Sequence, residues 1–256
     1  MENREMENGE MKNAEMKNAD RKKEHHGYEE IIKLESLWGE KLRRYAELLA
    51  SYAAARLTGS RDVEELYNLH VRDSLYSVPL LPKAGKVIDV GSGGGLPGMV
   101  WALCRPDLSV TLLDSARKKC RALSEMAKEL KLENVSVIWG RCEEHALVAR
   151  ETYALVEARA LAHTGVLAEY LSPLAAPGGR LLAFKGPKGL EELEELTEAG
   201  NKWDELALSS PDLIPYGPQD RSYFFVIWKK KAPCPLTYPR KPGLALSKSW
   251  WSVKVS

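Results

Sequence analysis

The sequence predicts an α/β protein: a doubly wound, mostly parallel sheet with helices on both faces, preceded by a helical N-terminal extension. Three observations predict it. Beyond Val87, short apolar β-rich runs alternate with helical stretches, which is the pattern of a parallel sheet. The run Val87-Ile-Asp-Val90 passes directly into a turn with five glycines in the eight residues from Gly91 to Gly98. A second strand, Val110 to Leu113, ends on the carboxylate of Asp114.

Taken in order, Met1 to about Gly27 is low-complexity, with Glu-Met-Lys-Asn-Ala repeated from Glu10 and Glu15. It has almost no apolar stripe to bury, so a disordered tail or a solvated helix is expected there, and His25 and His26 are read as part of that charged tail. From Tyr28 to Leu57 the positions Ile31, Leu34, Trp38, Leu42, Tyr45, Leu48, Leu49 and Tyr52 recur at three- and four-residue spacing. That is one face of an amphipathic helix, or of two helices joined near Gly39. The boundaries expected are a tail over 1–27, a helical extension over 28–82, the α/β domain over 83–231 and a basic C-terminal segment over 232–256.

Within the α/β domain the strands are expected at Val87 to Val90, Val110 to Leu113, Val135 to Trp139, Tyr153 to Val156, Arg180 to Phe184 and Tyr223 to Trp228. Helices are expected from about Pro97, where the missing N–H suits the first turn, and over Ala116 to Leu130. A sheet of this kind binds ligands at the carboxyl ends of its strands.

Composition narrows the class. The chain has 256 residues, 44% of them hydrophobic, and a net charge of +1. That balance conceals segregation: Lys229 to Ser256 carries seven basic side chains and no acid, whereas Glu191 to Glu205 is strongly acidic. Cys104, Cys120, Cys142 and Cys234 form no C-x-x-C or Cys/His ligand pattern, so buried thiols in a reducing compartment are expected, with no metal site. No apolar run of ~18 residues suggests a membrane span and no secretory signal is seen; a cytoplasmic location is expected.

The glycine turn carries the chemistry. Glycines at 91, 93 and 95 let the backbone bend sharply and approach a ligand, while an acid on the next strand tip can accept two ribose hydroxyls. Dinucleotide folds use G-x-G-x-x-G to open a helix onto a pyrophosphate, a register found here only at Gly93, Gly95 and Gly98. The register Asp89-x-Gly91-x-Gly93-x-Gly95 begins directly after the strand and resembles the first motif of S-adenosylmethionine-dependent methyltransferases. Reading on, the strand tips present Asp114 with Ser115, then Arg141-Cys-Glu-Glu144, then Glu157-Ala-Arg-Ala-Leu-Ala162, then Lys185-Gly186.

Together with His70-Val-Arg-Asp-Ser-Leu75, Leu130-Lys-Leu-Glu-Asn-Val135 and the tail Ala232-Pro-Cys-Pro-Leu-Thr-Tyr-Pro-Arg-Lys-Pro-Gly243, these motifs resemble the glucose-inhibited division protein B family, over roughly Tyr28 to Ser247. Members are 16S ribosomal RNA guanine-N7 methyltransferases. The chain departs from the family pattern at Ala122, where a Phe is usual, and at Ala158, where a Ser precedes the Arg-Ala pair.

The resemblance implies a seven-stranded sheet of the methyltransferase type and S-adenosyl-L-methionine as cofactor. Its pocket would use Gly91, Gly93, Gly95 and Leu96 from the loop, Asp114 and Ser115 for the ribose, Cys142 and Glu143 around the adenine, and Arg159 beside the site. Arg159, Lys185, His70 and Asp73 would position the target base. The partner implied is 16S ribosomal RNA within the small subunit, bound by a monomer without DNA or membrane. Lys229, Lys230, Lys231, Arg240, Lys241 and Lys248, interleaved with Tyr238, Trp250 and Trp251, suit RNA, since charge fixes phosphate and rings stack on bases. The residues alone also admit a methyltransferase acting on another RNA or a small molecule, a non-catalytic RNA-binding assembly protein, and a dinucleotide oxidoreductase.

Overall fold

The computed structural model describes residues 28–52, 57–200, 202–217 and 222–251. The repetitive segment over 1–27 lies outside them. The apolar stripe of the extension forms one helix, α1, over residues 28–51, with Ile31, Leu42, Tyr45 and Ala46 fully buried. It runs straight through Gly39, whose missing side chain faces open space, so the two-helix alternative is not realised. Two short helices follow, α2 (Val63–Leu66) and α3 (Arg72–Leu75), joined through a π-helical turn over Tyr67–Val71.

The strands form one seven-stranded sheet in the order β3-β2-β1-β4-β5-β7-β6. They are β1 (Lys86–Val90), β2 (Ser109–Asp114), β3 (Val135–Trp139), β4 (Tyr153–Arg159), β5 (Ala175–Lys185), β6 (Asp212–Tyr216) and β7 (Tyr223–Lys229). The first five pair in parallel, and β7 pairs antiparallel with both β5 and β6. The six strands expected from periodicity are present. β6 was not legible because it is short, largely exposed and interrupted by Pro215, a residue that only an edge strand tolerates well.

Helices cover both faces: α4 (Gly98–Cys104), α5 (Arg117–Glu129), α6 (Cys142–Val148), α7 (Thr164–Leu171), α8 (Lys188–Glu198) and α9 (Leu244–Ser247). Because successive strand residues point to opposite faces, Val87, Leu112, Leu155 and Leu182 join α1, α4 and α5 in one core. Ile88, Leu113, Val156 and Leu181 join α6 and α7 in the other. Each fully buried large side chain contributes about 1.5–3 kcal/mol. Trp101 of α4 is among the largest of these, and its Nε1 donates to Ser77 Oγ at 2.7 Å, tying α4 to the extension.

The C-terminal segment belongs to the second core. Trp250 and Trp251 are buried; Trp250 Nε1 donates to the Gly165 carbonyl at 2.8 Å, and Trp251 stacks on His163 at 5.0 Å. Arg240 forms an ion pair with Glu169, which is itself buried. Lys230 is buried, its Nζ donating to Ser172 Oγ at 2.7 Å, and burial lowers its pKa. The expected RNA-stacking role of Trp250 and Trp251, and the phosphate role of Lys230 and Arg240, are therefore corrected: these groups hold the tail onto the domain. All four cysteines are buried, unbridged thiols.

Candidate functional site

The glycine turn is held from several directions. Gly91 and Ser92 donate their N–H groups to the Leu113 carbonyl at 2.7 and 3.0 Å, and Gly95 donates to Ser92 at 2.6 Å. Gly91, Gly93 and Gly95 have φ of 76°, 56° and 91°, values that glycine adopts at little cost. Asp89, at the end of β1, grips both sides of the turn. Its carbonyl accepts from Ser92 Oγ at 2.8 Å, and its Oδ2 from the Gly98 N–H at 2.9 Å. From the extension, Tyr45 donates its hydroxyl to the Gly94 carbonyl at 2.5 Å. Periodicity marked Tyr45 as one more residue of an apolar face; its role as a prop for the loop was not visible there.

Asp114 stands at the tip of β2, as expected. Its Oδ2 accepts the Gly93 N–H at 2.9 Å and its Oδ1 the Ala116 N–H at 2.8 Å. Each carboxylate oxygen has about two acceptor sites, so both keep capacity for a ribose hydroxyl. Ser115 is exposed beside it, and Leu96 packs against the first core. Cys142 and Glu143 open α6 and are buried. Burial pushes the Cys142 thiol up, and this neutral thiol donates to Glu143 Oε2 at 3.2 Å. Glu143 Oε1 accepts the Gly243 N–H at 3.0 Å, so Glu143 also anchors the tail, while Glu144 reaches back to the Arg141 N–H that precedes the helix. The positive-φ loop and the acid with open acceptor sites fit a nucleoside with an amino-acid arm.

A cleft of about 1100 Å³ lies beside the turn, at the tips of β4 and β5. His70, Asp73, Arg159 and Lys185 all line it, together with Phe184 and Tyr216. The four residues expected to position the target base, drawn from three separate stretches of chain, therefore meet in one place. The Leu161 side chain also lines the cleft and closes on Gly91, where an added Cβ would meet its Cδ1 at 2.8 Å. Leu161 thus stands between cleft and glycine loop. The preceding residue, Ala160, has φ of 51°, a left-handed conformation costly for a residue with a Cβ.

The cations here are paired. Arg159 meets Asp73 at 2.7 Å and Ser74 Oγ at 3.2 Å, and its guanidinium lies 5.3 Å from the Phe184 ring. Lys185 Nζ donates to Glu192 Oε2 at 2.7 Å and to the Ala162 carbonyl at 2.9 Å. Burial works against the charge on Glu192, yet its hydrogen bonds from Lys185 and Thr164 outweigh this and hold its pKa below the usual value. Lys185, expected to position the target base, is thus a paired cation that joins the β5 tip to α8. His70 sits in the π-helical turn, and burial, helped by the charge of Arg159, lowers its pKa. Glu192 and Tyr216 went unmarked in the sequence, because nothing local distinguishes them from an acidic surface helix and an edge strand. Among the described residues, no group of three or more His, Cys, Asp or Glu is placed to hold a metal ion, and no helix is long and apolar enough to cross a membrane.

A parallel-then-antiparallel seven-stranded sheet with a glycine turn after β1 and an acid on β2 defines a Rossmann-like S-adenosylmethionine-dependent methyltransferase. The same fold is seen in a crystal structure from Methanococcus maripaludis, described as a candidate S-adenosyl-L-methionine-dependent methyltransferase. It matches with a TM-score of 0.50 at 18% identity, over 66% of this chain and 90% of that one. A family model described as rRNA small subunit methyltransferase G matches residues 39–212, and the chain belongs to that family. Proteins named ribosomal RNA small subunit methyltransferase G are 43% identical in Thermobifida fusca, over 69% of this chain and 73% of the relative. In Moorella thermoacetica the identity is 36%, over 79% and 86%.

Proposed function

We propose that the protein transfers a methyl group from S-adenosyl-L-methionine to N7 of a guanine in 16S ribosomal RNA of the small subunit. The observation that carries this reading is the cleft itself. It lies against the glycine loop across Leu161, has aromatic walls in Phe184 and Tyr216, and is edged by the carboxylates of Asp73 and Glu192. In this reading the described residues of 28–82 form the rim and loop prop, 83–231 are the methyltransferase domain, and the described residues of 232–256 are a strap.

When bound, S-adenosylmethionine supplies a methyl group on a sulfonium centre; Gly91, Gly93, Gly95, Leu96, Asp114, Ser115, Cys142 and Glu143 would hold it. Guanine N7 carries an in-plane lone pair and no hydrogen, so the chain need supply no general base. Its residues align the base and exclude water, an orientation effect that can contribute several kcal/mol. Phe184 backs the cleft beside the Arg159 guanidinium and Tyr216 stacks on Phe225, and Arg159, fixed by Asp73, is the cation that would meet the O6 edge. The methylated base is cationic; Asp73 and Glu192 are each already paired with a cation, so the RNA phosphates would favour that developing charge.

The test is methyl transfer to small subunits and to protein-free 16S RNA, with the modified nucleoside identified by mass spectrometry. 7-Methylguanosine is the expected product. A methyl on any other atom, or none, overturns the reading.

An RNA surface is proposed at the β2–β3 edge, in addition to the tail cations Lys229, Lys231, Lys241 and Lys248. Arg117, Lys118 and Lys119 fill the first turn of α5, which contains no acid. Cations there oppose the helix dipole, a cost that bound phosphate would remove. Beside them Trp139 is 59% exposed, with the Arg117 guanidinium 5.2 Å from its ring. Replacing Arg117, Lys118 and Lys119 by Ala should flatten the slope of log affinity against log salt by about 0.7 per lost contact to single-stranded RNA. Cofactor affinity should stay unchanged. An unaltered slope would remove α5 from the interface.

A further inference from the structure

Asp89 and Glu157 lie opposite one another on the adjacent parallel strands β1 and β4, and their exposures are 1% and 0%. Asp89 accepts the Gly98 N–H. Glu157 differs: neither of its carboxyl oxygens meets a donor among the described residues. The carboxyl of Asp89 lies within hydrogen-bonding reach of it. Two ionised carboxylates only repel, whereas a pair holding one proton makes a strong hydrogen bond.

We propose that Glu157 keeps a proton in the working protein and donates it to Asp89, forming a positioning pair that holds the glycine loop in its cofactor-binding shape. The proposal rests on the reading of that loop as the S-adenosylmethionine site. Its logic is mechanical: Asp89 ties the start of the turn through Ser92 and its end through Gly98. Glu157 fixes the remaining freedom of the Asp89 carboxyl from below. Asp89 is the member with a backbone donor and so the one suited to the negative charge.

The surroundings agree. Burial pushes Asp89 up to about 7, against the pull of the Gly98 N–H, Ser92 and Glu157, while Asp114 of β2 adds to the rise. Burial and then the charge of Asp89 push Glu157 further up, and Arg159 on the same strand opposes this only in part, being paired with Asp73 of α3. The hydroxyls of Tyr45 from α1 and Tyr216 from β6 also face this group of charges, and burial keeps both neutral. Loss of the shared proton would put a second negative charge into this space, drive the two carboxyls apart and slacken the loop.

Affinity for S-adenosylmethionine should therefore weaken as pH rises through the titration of the pair, by up to about tenfold per pH unit for one linked proton. Glu157→Gln keeps the shape and a donor, so it should bind within about threefold of wild type at neutral pH and lose that dependence. Stability gives a second readout. The folded state holds a proton that the unfolded chain releases near pH 4, so wild-type stability falls as pH rises from there through the folded-state pKa. The Glu157→Gln protein should fall less. An infrared difference between the two proteins at neutral pH should show a protonated carboxyl stretch lost on substitution. Identical pH profiles of affinity and stability in both proteins, or no such band, would overturn the proposal. If the wild type binds no S-adenosylmethionine at any pH, the cofactor reading fails, while the infrared and stability measurements still decide where the proton sits.

Discussion

Replacing Gly95 by Ala is expected to abolish cofactor binding and to destabilise the protein by about 2–5 kcal/mol, adding the cost of a left-handed L-residue to that of overpacking. At φ of 91°, a Cβ on this residue would lie 2.5 Å from Met99 Cγ, 2.8 Å from Leu123 Cδ2 and 2.9 Å from the Tyr45 hydroxyl. Three elements would have to move: α4, α5 and α1. Tyr45 could not retreat without releasing the Gly94 carbonyl, so the loop would lose its prop as well as its turn. Gly93→Ala is the control. Its φ of 56° lies in the left-handed region that other residues visit, and the nearest atom to its Cβ would be the Gly91 carbonyl oxygen at 3.8 Å. That variant should lose about 1 kcal/mol and stay folded. Urea unfolding and calorimetric titration with S-adenosylmethionine distinguish the two. Equal stability of the Gly95 and Gly93 variants would refute the steric account.

The second large effect is expected at Arg159. The Arg159 side chain is 21% exposed and that of Asp73 only 6%, so Arg159→Ala takes the ion-pair cation away from a carboxylate that water barely reaches. Breaking a buried pair from one side costs about 3–5 kcal/mol, and the residual exposure of Arg159 places this case near the lower end. The same change removes the link between α3 and the tip of β4. A base-positioning error of about 1 Å costs roughly a hundredfold in rate, and turnover should fall by that order at saturating cofactor. Adding Asp73→Asn removes that buried charge, so the double variant should recover much of the stability and none of the turnover. Single variants whose stability losses simply add would show that the pair is uncoupled. Recovery of turnover in the double variant would show that Arg159 acts only on stability.

Much of the site was legible because glycine patterning, apolar period and an acid at a strand end are local properties of the chain. Gly91, Gly93 and Gly95 announced a turn with positive φ; Val87 to Val90 and Val110 to Leu113 announced buried parallel strands; Asp114 followed from where the second strand had to stop. The gathering of His70, Asp73, Arg159 and Lys185 was anticipated through family resemblance, and the cleft brings them together.

The fate of each charge and ring was a different matter. A run of basic residues from Lys229 onward looks like an RNA tail in one dimension, yet Arg240 finds Glu169, Lys230 finds Ser172, and Trp250 and Trp251 complete a core. The sequence by itself determined six of the seven strands, the glycine turn and the family, since these depend on residue type and spacing within a few turns of chain. Only the tertiary structure decided that Tyr45 props the loop, that Lys185 is bound to Glu192, and that Glu157 faces Asp89 with no donor to its carboxyl oxygens among the described residues. A charge is free or paired, and an acid ionised or neutral, according to what distant segments bring within about 4 Å of it, and periodicity carries no information about that distance.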